Sequence, residues 1–240
     1  MKPFKLIIVT VMLLMLAGCA TYTVPSDKAA RIKKVGVISL TALEFHRKYT
    51  GLTVFGNERE QKDISSWNVD DEYEDQMLRA LSSLGLFEAV RVPYERKELY
   101  TVYKNGGQRL SAIEPKLKAI AEMNSLDTVV VATSVLTGDF LAGTNQYLQG
   151  AGFYATGVAK LTATSAIHLV SNITVIDGWS GKPIAERMIT PTLKVPPELS
   201  RAKFSEPGGQ KDEEVRKMLV DLPGDKWGPA FIGLFANVRK

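Results

Sequence analysis

The chain has two histidines, and these are its candidates for acid–base chemistry at neutral pH. His46 lies in FHRKY among charged residues. His168 lies in an alternating segment, on the same predicted face as Lys160 and Thr164, so we expect it to be exposed. Neither histidine stands beside a serine and an acid in a pattern that indicates a hydrolase triad. A hydrolase that uses His46 or His168 therefore stays open only as an alternative.

The segment GWSGK, residues 178–182, invites comparison with two motifs of nucleophile and phosphate chemistry. A nucleophile elbow needs G-x-S-x-G, and Lys182 occupies the position of the last glycine. A P-loop needs four residues between its glycines, and this segment has two. Asp, Gly and Ser instead favour turn conformations between two strand-like runs. We therefore predict a hairpin turn over residues 177–182.

The segment DDEYED, residues 70–75, holds five carboxylates and could be taken for a cation site. Divalent-cation loops need ligands at turn spacing together with a glycine, which is missing here. Acidic residues in the first turn of a helix complement its dipole, and Asp71 and Glu74 are spaced as a capping box. We therefore predict a helix start, and we predict no catalytic, metal or cofactor site in the chain.

The chain's one cysteine, Cys19, follows a short apolar run from Leu6 to Ala17, which Lys2 and Lys5 precede. A membrane-spanning helix needs about 20 apolar residues, so this run of 12 is too short. A basic start, an apolar core and small residues before a cleavage point are the parts of a secretory signal peptide. Residues 1–18 are therefore predicted to be a signal peptide.

The string Leu16-Ala17-Gly18-Cys19 resembles the lipobox of bacterial lipoproteins. The resemblance implies that the Cys19 thiol carries a diacylglyceryl group, that the chain is cut before Cys19, and that the new amino group is acylated with a chain such as palmitate. In Gram-negative members an aspartate after the cysteine retains the protein in the inner membrane. Ala20 stands there instead, which implies a lipid anchor in the outer membrane on its periplasmic face.

Composition indicates an ordinary globular domain. Hydrophobic residues make up 45% of the chain, and Lys2 and Lys5 of the signal peptide supply part of the net charge of +4. This balance gives no case for nucleic-acid binding. We expect a tether over residues 19–30 and a single α/β domain over residues 31–240. A tether this short spans at most roughly 40 Å, so the domain is expected to sit against the membrane.

The hydrophobic periodicity alternates between strand and helix. It predicts an α/β fold with a mixed sheet, helices packed on that sheet, and a long antiparallel β-hairpin in the second half. Strands are expected over 31–40, 87–92, 126–135 and 158–176, and helices over 71–84 and 115–124. Two C-terminal helices are expected with apolar stripes formed by Val215, Met218, Leu219 and Leu222, and by Phe231, Ile232, Leu234 and Phe235.

This order of elements resembles an α/β domain found in several envelope lipoproteins and related proteins. VGVISL, LSSLGLF, LDTVVVATSV and VIDGWSGKPIAE occur in sequence over roughly residues 32–195. They are similar to motifs of the curli secretion lipoprotein, the N-terminal domain of the Tol–Pal propeller, and lipoprotein activators of penicillin-binding proteins. The resemblance implies the fold more than the function, because one fold serves many functions.

Two aromatic, glycine-containing excursions, residues 44–60 and 138–157, are predicted to leave the strands as long loops. Long loops in a compact domain are usually functional, although aromatic side chains can equally cover a core. We take their aromatic residues as candidates for contact with a protein partner: Phe45, Tyr49, Phe55, Phe140, Tyr147, Phe153 and Tyr154.

Insertions at comparable places in the curli lipoprotein become membrane hairpins of an oligomeric pore. Such strands need about 9–11 alternating residues, whereas HRKYTGLTVF places Arg47 and Tyr49 on one face and residues 138–157 do not alternate cleanly. The sequence therefore predicts a non-enzymatic outer-membrane lipoprotein that binds an envelope protein partner. A homo-oligomeric secretion component and a periplasmic hydrolase are the alternatives.

Overall fold

The computed structural model describes residues 23–51, 57–158, 161–197, 199 and 210–238. The predicted signal peptide, Cys19 and Phe55 lie outside these residues. Six α-helices are present in the described part: α1 Ser26–Ala29, α2 Val69–Ser83, α3 Arg96–Asn105, α4 Glu114–Met123, α5 Gln210–Asp221 and α6 Trp227–Leu234. No helix among the described residues is both long and apolar enough to cross a membrane.

The strands form one mixed sheet. Their bounds are β1 Lys34–Leu40, β2 Glu44–Thr50, β3 Glu58–Asp63, β4 Glu88–Arg91, β5 Thr128–Ser134, β6 Leu136–Gly138, β7 Tyr147–Val158, β8 Leu161–Asp177, β9 Pro183–Ile189 and β10 Thr192–Lys194. The strand order is β3-β2-β7-β8-β5-β1-β4, with β9 and β10 on β8 and β6 on β7. The predicted α/β class is confirmed, as is the antiparallel hairpin, which β8 and β9 form.

Strand β8 is 17 residues long and joins two halves of the sheet. Its residues from Ser171 to Asp177 pair with β5, which continues through β1 to β4. Its residues from Leu161 to Val170 pair with β7, which continues through β2 to β3. We call the first part the lower half and the second part the upper half. A rise of about 3.3 Å per residue places His168 about 30 Å from Asp177 along the strand.

The lower half is covered by helices on both faces. Val35 and Val37 of β1 belong to the core under α2, α5 and α6. Ile38 and Leu40 belong to a second core under α3 and α4. Successive side chains of a strand point to opposite faces, so a strand buried on both faces needs apolar residues throughout. This explains the unbroken apolar runs of β1 and β5.

The upper half is covered differently on its two faces. The core under α2, α5 and α6 continues beneath it through Phe45, Phe153 and Ile167. On the opposite face α3 and α4 do not cover the sheet, and the segment 135–149 folds over part of it instead. This segment buries Leu148 in a small cluster with Tyr154 and Val170. The rest of that face forms a cleft.

Two of the sequence predictions for secondary structure are wrong. The excursions are largely strands, since residues 44–60 contain β2 and part of β3, and residues 138–157 contain most of β7. Helix α3 was not predicted. Strand β3, EREQKD, is a polar edge strand without apolar alternation, and β7 carries glycines that lower strand propensity. Pairing with neighbouring strands overrides both signals.

The C-terminal helices agree with the predicted stripes except at one residue. Val215 and Leu219 of α5 are buried, with Met218 and Leu222 partly buried against the same core. Phe231, Leu234 and Phe235 are buried as well, whereas Ile232 is 62% exposed.

Candidate functional site

The two histidines, 122 positions apart in the chain, lie on one row across the upper half of the sheet. His46 of β2 is in register with Gly152 of β7, and Gly152 is in register with His168 of β8. Directly opposed residues of neighbouring strands point to the same face. Both imidazoles therefore line the cleft on either side of the glycine.

Gly152 is required by the close approach of its neighbours. A Cβ atom at this position would lie 2.2 Å from the carbonyl oxygen of His46 and 3.0 Å from Cε1 of His168. The first distance is far below a van der Waals contact, and the neighbour is backbone, which cannot swing away. Any side chain here would also fill the space between the two imidazoles.

His168 is buried rather than exposed, so the prediction for its position is wrong. Its side chain is 1% exposed, because the segment 135–149 covers the face of β8 that carries polar residues. Neither ring nitrogen forms a hydrogen bond of normal geometry among the described residues, although the backbone of Gln149 lies close enough to oppose the fall in the pKa of His168. Burial, and next the neighbouring His46, lower the pKa of His168 to about 3, so the ring is neutral at pH 7. Burial also lowers the pKa of His46.

Two cationic side chains share this face of the sheet. Lys48 of β2 stands two residues beyond His46 and is in register with Arg59 of β3. The Lys48 ammonium donates a hydrogen bond to the carbonyl oxygen of Tyr147 at 2.8 Å, and the Arg59 guanidinium donates to Oε1 of Gln146 at 3.1 Å. Within the described part of the chain neither forms an ion pair. Burial, then the Arg59 charge, lowers the pKa of Lys48.

The wall of the cleft is the β6–β7 hairpin, whose connecting loop is organised by one carboxylate. Asp139 accepts hydrogen bonds from the backbone N–H groups of Leu141, Ala142 and Thr144 at 2.9–3.1 Å and from the hydroxyl of Tyr154 at 2.6 Å. Although burial opposes it, these hydrogen bonds lower the pKa of Asp139 to about 2. The Asp139 carboxylate therefore stabilises the loop and is not free to bind a ligand in the cleft.

The cleft encloses about 490 Å³, a volume typical of small-ligand sites. Its floor is the sheet and its wall is the hairpin. Glu60 is its acidic lining residue, and the Glu60 carboxylate is already bound by Arg47 at 2.8 Å. The lining residues are His46, Arg47, Lys48, Arg59, Glu60, Gln61, Leu136, Tyr147, Leu148, Gln149 and His168.

Three of the predicted contact residues are core residues, which corrects their predicted role. Phe45 and Phe153 are 0% and 2% exposed and pack edge to face on the opposite side of the sheet, with ring centroids 5.1 Å apart. Tyr154 is fully buried and holds Asp139. A side chain buried in this way cannot contact a partner of the folded protein.

The other predicted contact residues that the structure describes remain candidates for contact with a partner. Tyr147 and Phe140 are 60% and 42% exposed on the hairpin, and Leu136 beside them is 59% exposed. Tyr49 is half-buried on β2. Phe55 and the lipidation candidate Cys19 lie outside the described residues. A contact role for Tyr49, Phe140 and Tyr147 stays a prediction.

A second polar cluster lies at the carboxyl end of β1 and involves the acidic segment 70–75. Asp70 is buried and accepts hydrogen bonds from the Ser39 hydroxyl at 2.5 Å and from the backbone N–H groups of Thr41 and Ala42. Burial raises the pKa of Asp70. Glu74 is also buried and accepts from the backbone of Ser39 at 2.9 Å.

Tyr94 and Arg96, which lie outside α2, complete this cluster. They bind the Glu74 carboxylate, so Glu74 does not form the predicted capping box with Asp71. The Tyr94 hydroxyl and the Arg96 guanidinium contact the Glu74 carboxylate at 2.5 and 2.8 Å. Burial and the Glu74 charge raise the pKa of Tyr94. The helix begins at Val69 after Asn68, whose side chain forms no cap. No group of three metal-ligating side chains occurs in the described ranges.

Neither histidine is set up as a catalytic base in the described part of the chain. The nitrogens of His168 contact no serine hydroxyl and no carboxylate at hydrogen-bond distance. The hydrolase alternative therefore gains no support from these positions. What the arrangement offers is a recess with two neutral imidazoles, two cations without a carboxylate partner, and two exposed apolar side chains, Leu136 and Tyr147, at its rim.

No protein-family model matches the sequence, and no curated protein matches it. Among solved structures the chain is similar to the PelC dodecamer from Paraburkholderia phytofirmans (12% identity, 87% of this chain, 92% of that chain, TM-score 0.37). It is also similar to lipoprotein GNA1162 from Neisseria meningitidis (12%, 79%, 93%, 0.32) and to the LpoB C-terminal domain from Salmonella enterica (11%, 69%, 90%, 0.28). At TM-scores below 0.5 these similarities are too weak to assign a function to this chain.

Proposed function

We propose that this protein is a non-enzymatic, lipid-anchored module of the outer membrane that binds an acidic segment of an envelope protein partner in the cleft of its upper half. The anchor is assigned to Cys19 from the lipobox-like sequence, and Ala20 favours the outer membrane on its periplasmic face. The cleft supplies the binding site, and the β6–β7 hairpin supplies its rim.

The observation that carries the binding proposal is the unpartnered imidazole of His168. A buried polar group without a hydrogen bond costs free energy, so native proteins almost always provide a partner. The ring of a neutral histidine donates one hydrogen bond and accepts another. His168 lines the cleft but is 1% exposed, so a ligand that displaces the covering segment 135–149 from the ring can supply the groups that the described protein residues do not.

The charge of the cleft indicates an acidic ligand. Lys48 and Arg59 face the recess without a carboxylate partner, and Asp139 and Glu60 are engaged elsewhere. Lys48 is buried and Arg59 is exposed, and each can bind a carboxylate by a short, charge-assisted hydrogen bond. An aspartate, a glutamate or a chain terminus would complete this arrangement.

The rim indicates a protein partner rather than a free ion. Leu136 and Tyr147 line the charged recess and expose apolar surface, and Phe140 is exposed on the same hairpin. Aromatic residues around a polar recess are typical of protein-binding surfaces, because they bury large areas with few rotatable bonds. The partner segment should therefore carry apolar side chains next to its acidic group.

A photo-crosslinking amino acid at position 147 in living cells tests this proposal. We expect an adduct with another envelope protein, and we expect its yield to fall at least tenfold when Lys48→Met and Arg59→Gln are added. The matched control places the same amino acid at Met188, which is 50% exposed on β9 away from the cleft. The melting temperature of each variant shows whether it is folded.

Two results would count against the proposal. One is an adduct at position 147 whose yield does not depend on Lys48 and Arg59. The other is an adduct whose mass is twice that of this chain, which would favour the homo-oligomer alternative. Lipidation is tested separately by mass spectrometry of the mature N-terminus.

A further inference from the structure

The two most exposed large apolar side chains of the described residues lie at the end of the domain opposite the cleft. Trp179 is 76% exposed in the turn between β8 and β9, and Met123 is 75% exposed at the end of α4. Parallel strands β1, β4 and β5 all begin at this end. We call the surface around Trp179 and Met123 the lower end.

A chain of hydrogen bonds holds the lower end together. The N–H of Gly178 donates to the carbonyl of Asp127 at 2.8 Å, and the N–H of Asp127 donates to the carbonyl of Lys34 at 3.0 Å. The Lys34 ammonium in turn donates to the carbonyl of Asn124, next to Met123, at 3.2 Å. Trp179 and Met123 are thus fixed on one rigid surface.

The turn that carries Trp179 is tightly seated. A Cβ atom on Gly178 would lie 2.4 Å from the carbonyl oxygen of Leu126, so only glycine allows this approach. The Ser180 hydroxyl donates to Asp177 at 2.7 Å and closes the turn. These contacts fix the backbone of the turn that carries Trp179.

The chain also enters the domain at the lower end. Helix α1 follows the predicted anchor by seven residues and is tied to the Trp179 turn by an ion pair from Lys28 to Asp177 at 3.0 Å. Seven residues span at most roughly 25 Å. If Cys19 is acylated, the lower end is the part of the described domain that the tether brings to the bilayer.

The chemistry of the lower end suits a lipid surface. Tryptophan prefers the headgroup level of a bilayer, where its ring is partly buried and its N–H stays hydrated. Arg31 and Lys33 are exposed nearby and form no ion pair among the described residues. Asp27 and Glu88 are exposed carboxylates that oppose them, whereas Glu122 is paired with Lys118 and Asp127 is engaged with the backbone of Lys33 and Lys34.

We propose that the lower end docks on the membrane that holds the anchor, with Trp179 and Met123 in the headgroup region and the cleft facing away from the bilayer. This proposal rests on the proposed lipidation of Cys19. Since His168 lies about 30 Å above Asp177 along β8, the cleft would be presented about that far from the membrane surface. A partner would then be met on the side of the domain that is remote from the lipid.

Fluorescence of the lipidated full chain in liposomes tests the proposal. The chain has three tryptophans, and Trp67 and Trp227 are 8% and 0% exposed. In vesicles of phosphatidylethanolamine and phosphatidylglycerol, lipids brominated near the headgroup should quench a clear part of the emission. Trp179→Phe should abolish that quenching. A matched Trp179→Phe/Met188→Trp variant, with its tryptophan on β9, should show no quenching.

The outcomes separate this proposal from the proposed anchor. A protein that fails to float with liposomes and carries no acyl chains contradicts the anchor. A protein that floats but is not quenched by brominated lipid contradicts the docking of the lower end. Protection of Trp179 from aqueous acrylamide without bromine quenching would assign the surface to a second copy, and would also overturn the proposal. An unchanged melting temperature of Trp179→Phe confirms that the variant is folded.

Discussion

Two of the clusters of polar side chains that the described residues bury on the sheet differ in how well their hydrogen bonds are satisfied. At the carboxyl end of β1, Asp70 and Glu74 receive bonds from backbone and side-chain donors. In the cleft, both nitrogens of His168 are without a partner in the described part of the chain. Besides His168, only the hydroxyls of Thr50 and Thr128 share this condition there.

The difference separates structural from functional burial of polar groups. A satisfied network fixes the geometry of its neighbours, and here it holds the turn that leads from β1 to β2. An unsatisfied group raises the free energy of the folded state unless a water molecule or a ligand completes its hydrogen bonds. The first cluster thus positions β2, and the second uses β2 to present His46 and Lys48.

The largest effect is expected from Asp70→Ala in the satisfied cluster. The change leaves the Ser39 hydroxyl and the backbone N–H groups of Thr41 and Ala42 buried without an acceptor. Removing one member of a buried charged network typically costs about 3–5 kcal/mol. Unfolding by urea, followed by circular dichroism, measures the loss.

The matched control for Asp70→Ala is Asp71→Ala on the same helix. The Asp71 side chain is 44% exposed, although it pairs with Arg96 at 2.7 Å. An ion pair of this exposure contributes at most about 1 kcal/mol. Equal losses in the two variants would show that the buried cluster has no special role in stability.

The sequence predicts the lower half of the sheet well and the upper half poorly. Strand β5 is a run of β-branched residues, and β8 alternates, so local pattern is enough for both. Strands β2 and β7 are held by their neighbours instead. Their glycines and charged residues make sense only once Gly152 is seen between His46 and His168.

The candidate site was harder to predict, because it depends on contacts far apart in the chain. The predicted aromatic residues Phe140 and Tyr147 lie on the hairpin that forms the wall of the cleft, and their contact role stays a prediction. Lys48, Arg59 and Gly152 were missed. His168 is buried by the segment 135–149, and the residues near His168 in the sequence give no sign of this contact. The alternation of His46 and Lys48 was the one local signal for a shared face.

A second prediction concerns the dependence of stability on pH. Burial holds the pKa of His168 near 3 in the folded state, against about 6.5 in the unfolded chain. The unfolded state therefore binds more protons below pH 6.5, and the free energy of unfolding falls as pH decreases. The expected slope from His168 is about 1.4 kcal/mol per pH unit.

Urea unfolding between pH 7 and pH 5 measures this slope with and without His168→Gln. The groups around His168 are His46, Lys48, Asp139 and the backbone of Gln149. His46 acts in the same direction, since burial lowers its pKa too. We expect the variant to lose about 2 kcal/mol less than the natural chain across this range. Identical slopes would show that the pKa of His168 is not lowered in the folded protein.

The smallest effect on stability is expected at the rim, where Tyr147→Ser should change the free energy of unfolding by less than about 0.5 kcal/mol. Its side chain is 60% exposed, so little packing is lost. Phe153→Ser, on the other face of β7, should cost about 3–5 kcal/mol because that ring is buried against Phe45.

A photo-crosslinking amino acid at position 140 then separates a role in partner contact from a role in stability. Tyr147→Ser should lower the yield of partner adduct several-fold while the protein stays folded, because Tyr147 contributes contact area and Phe153 contributes stability. An adduct yield that is unchanged by Tyr147→Ser would show that the apolar rim does not contribute to binding, and that the partner is recognised by its acidic group alone.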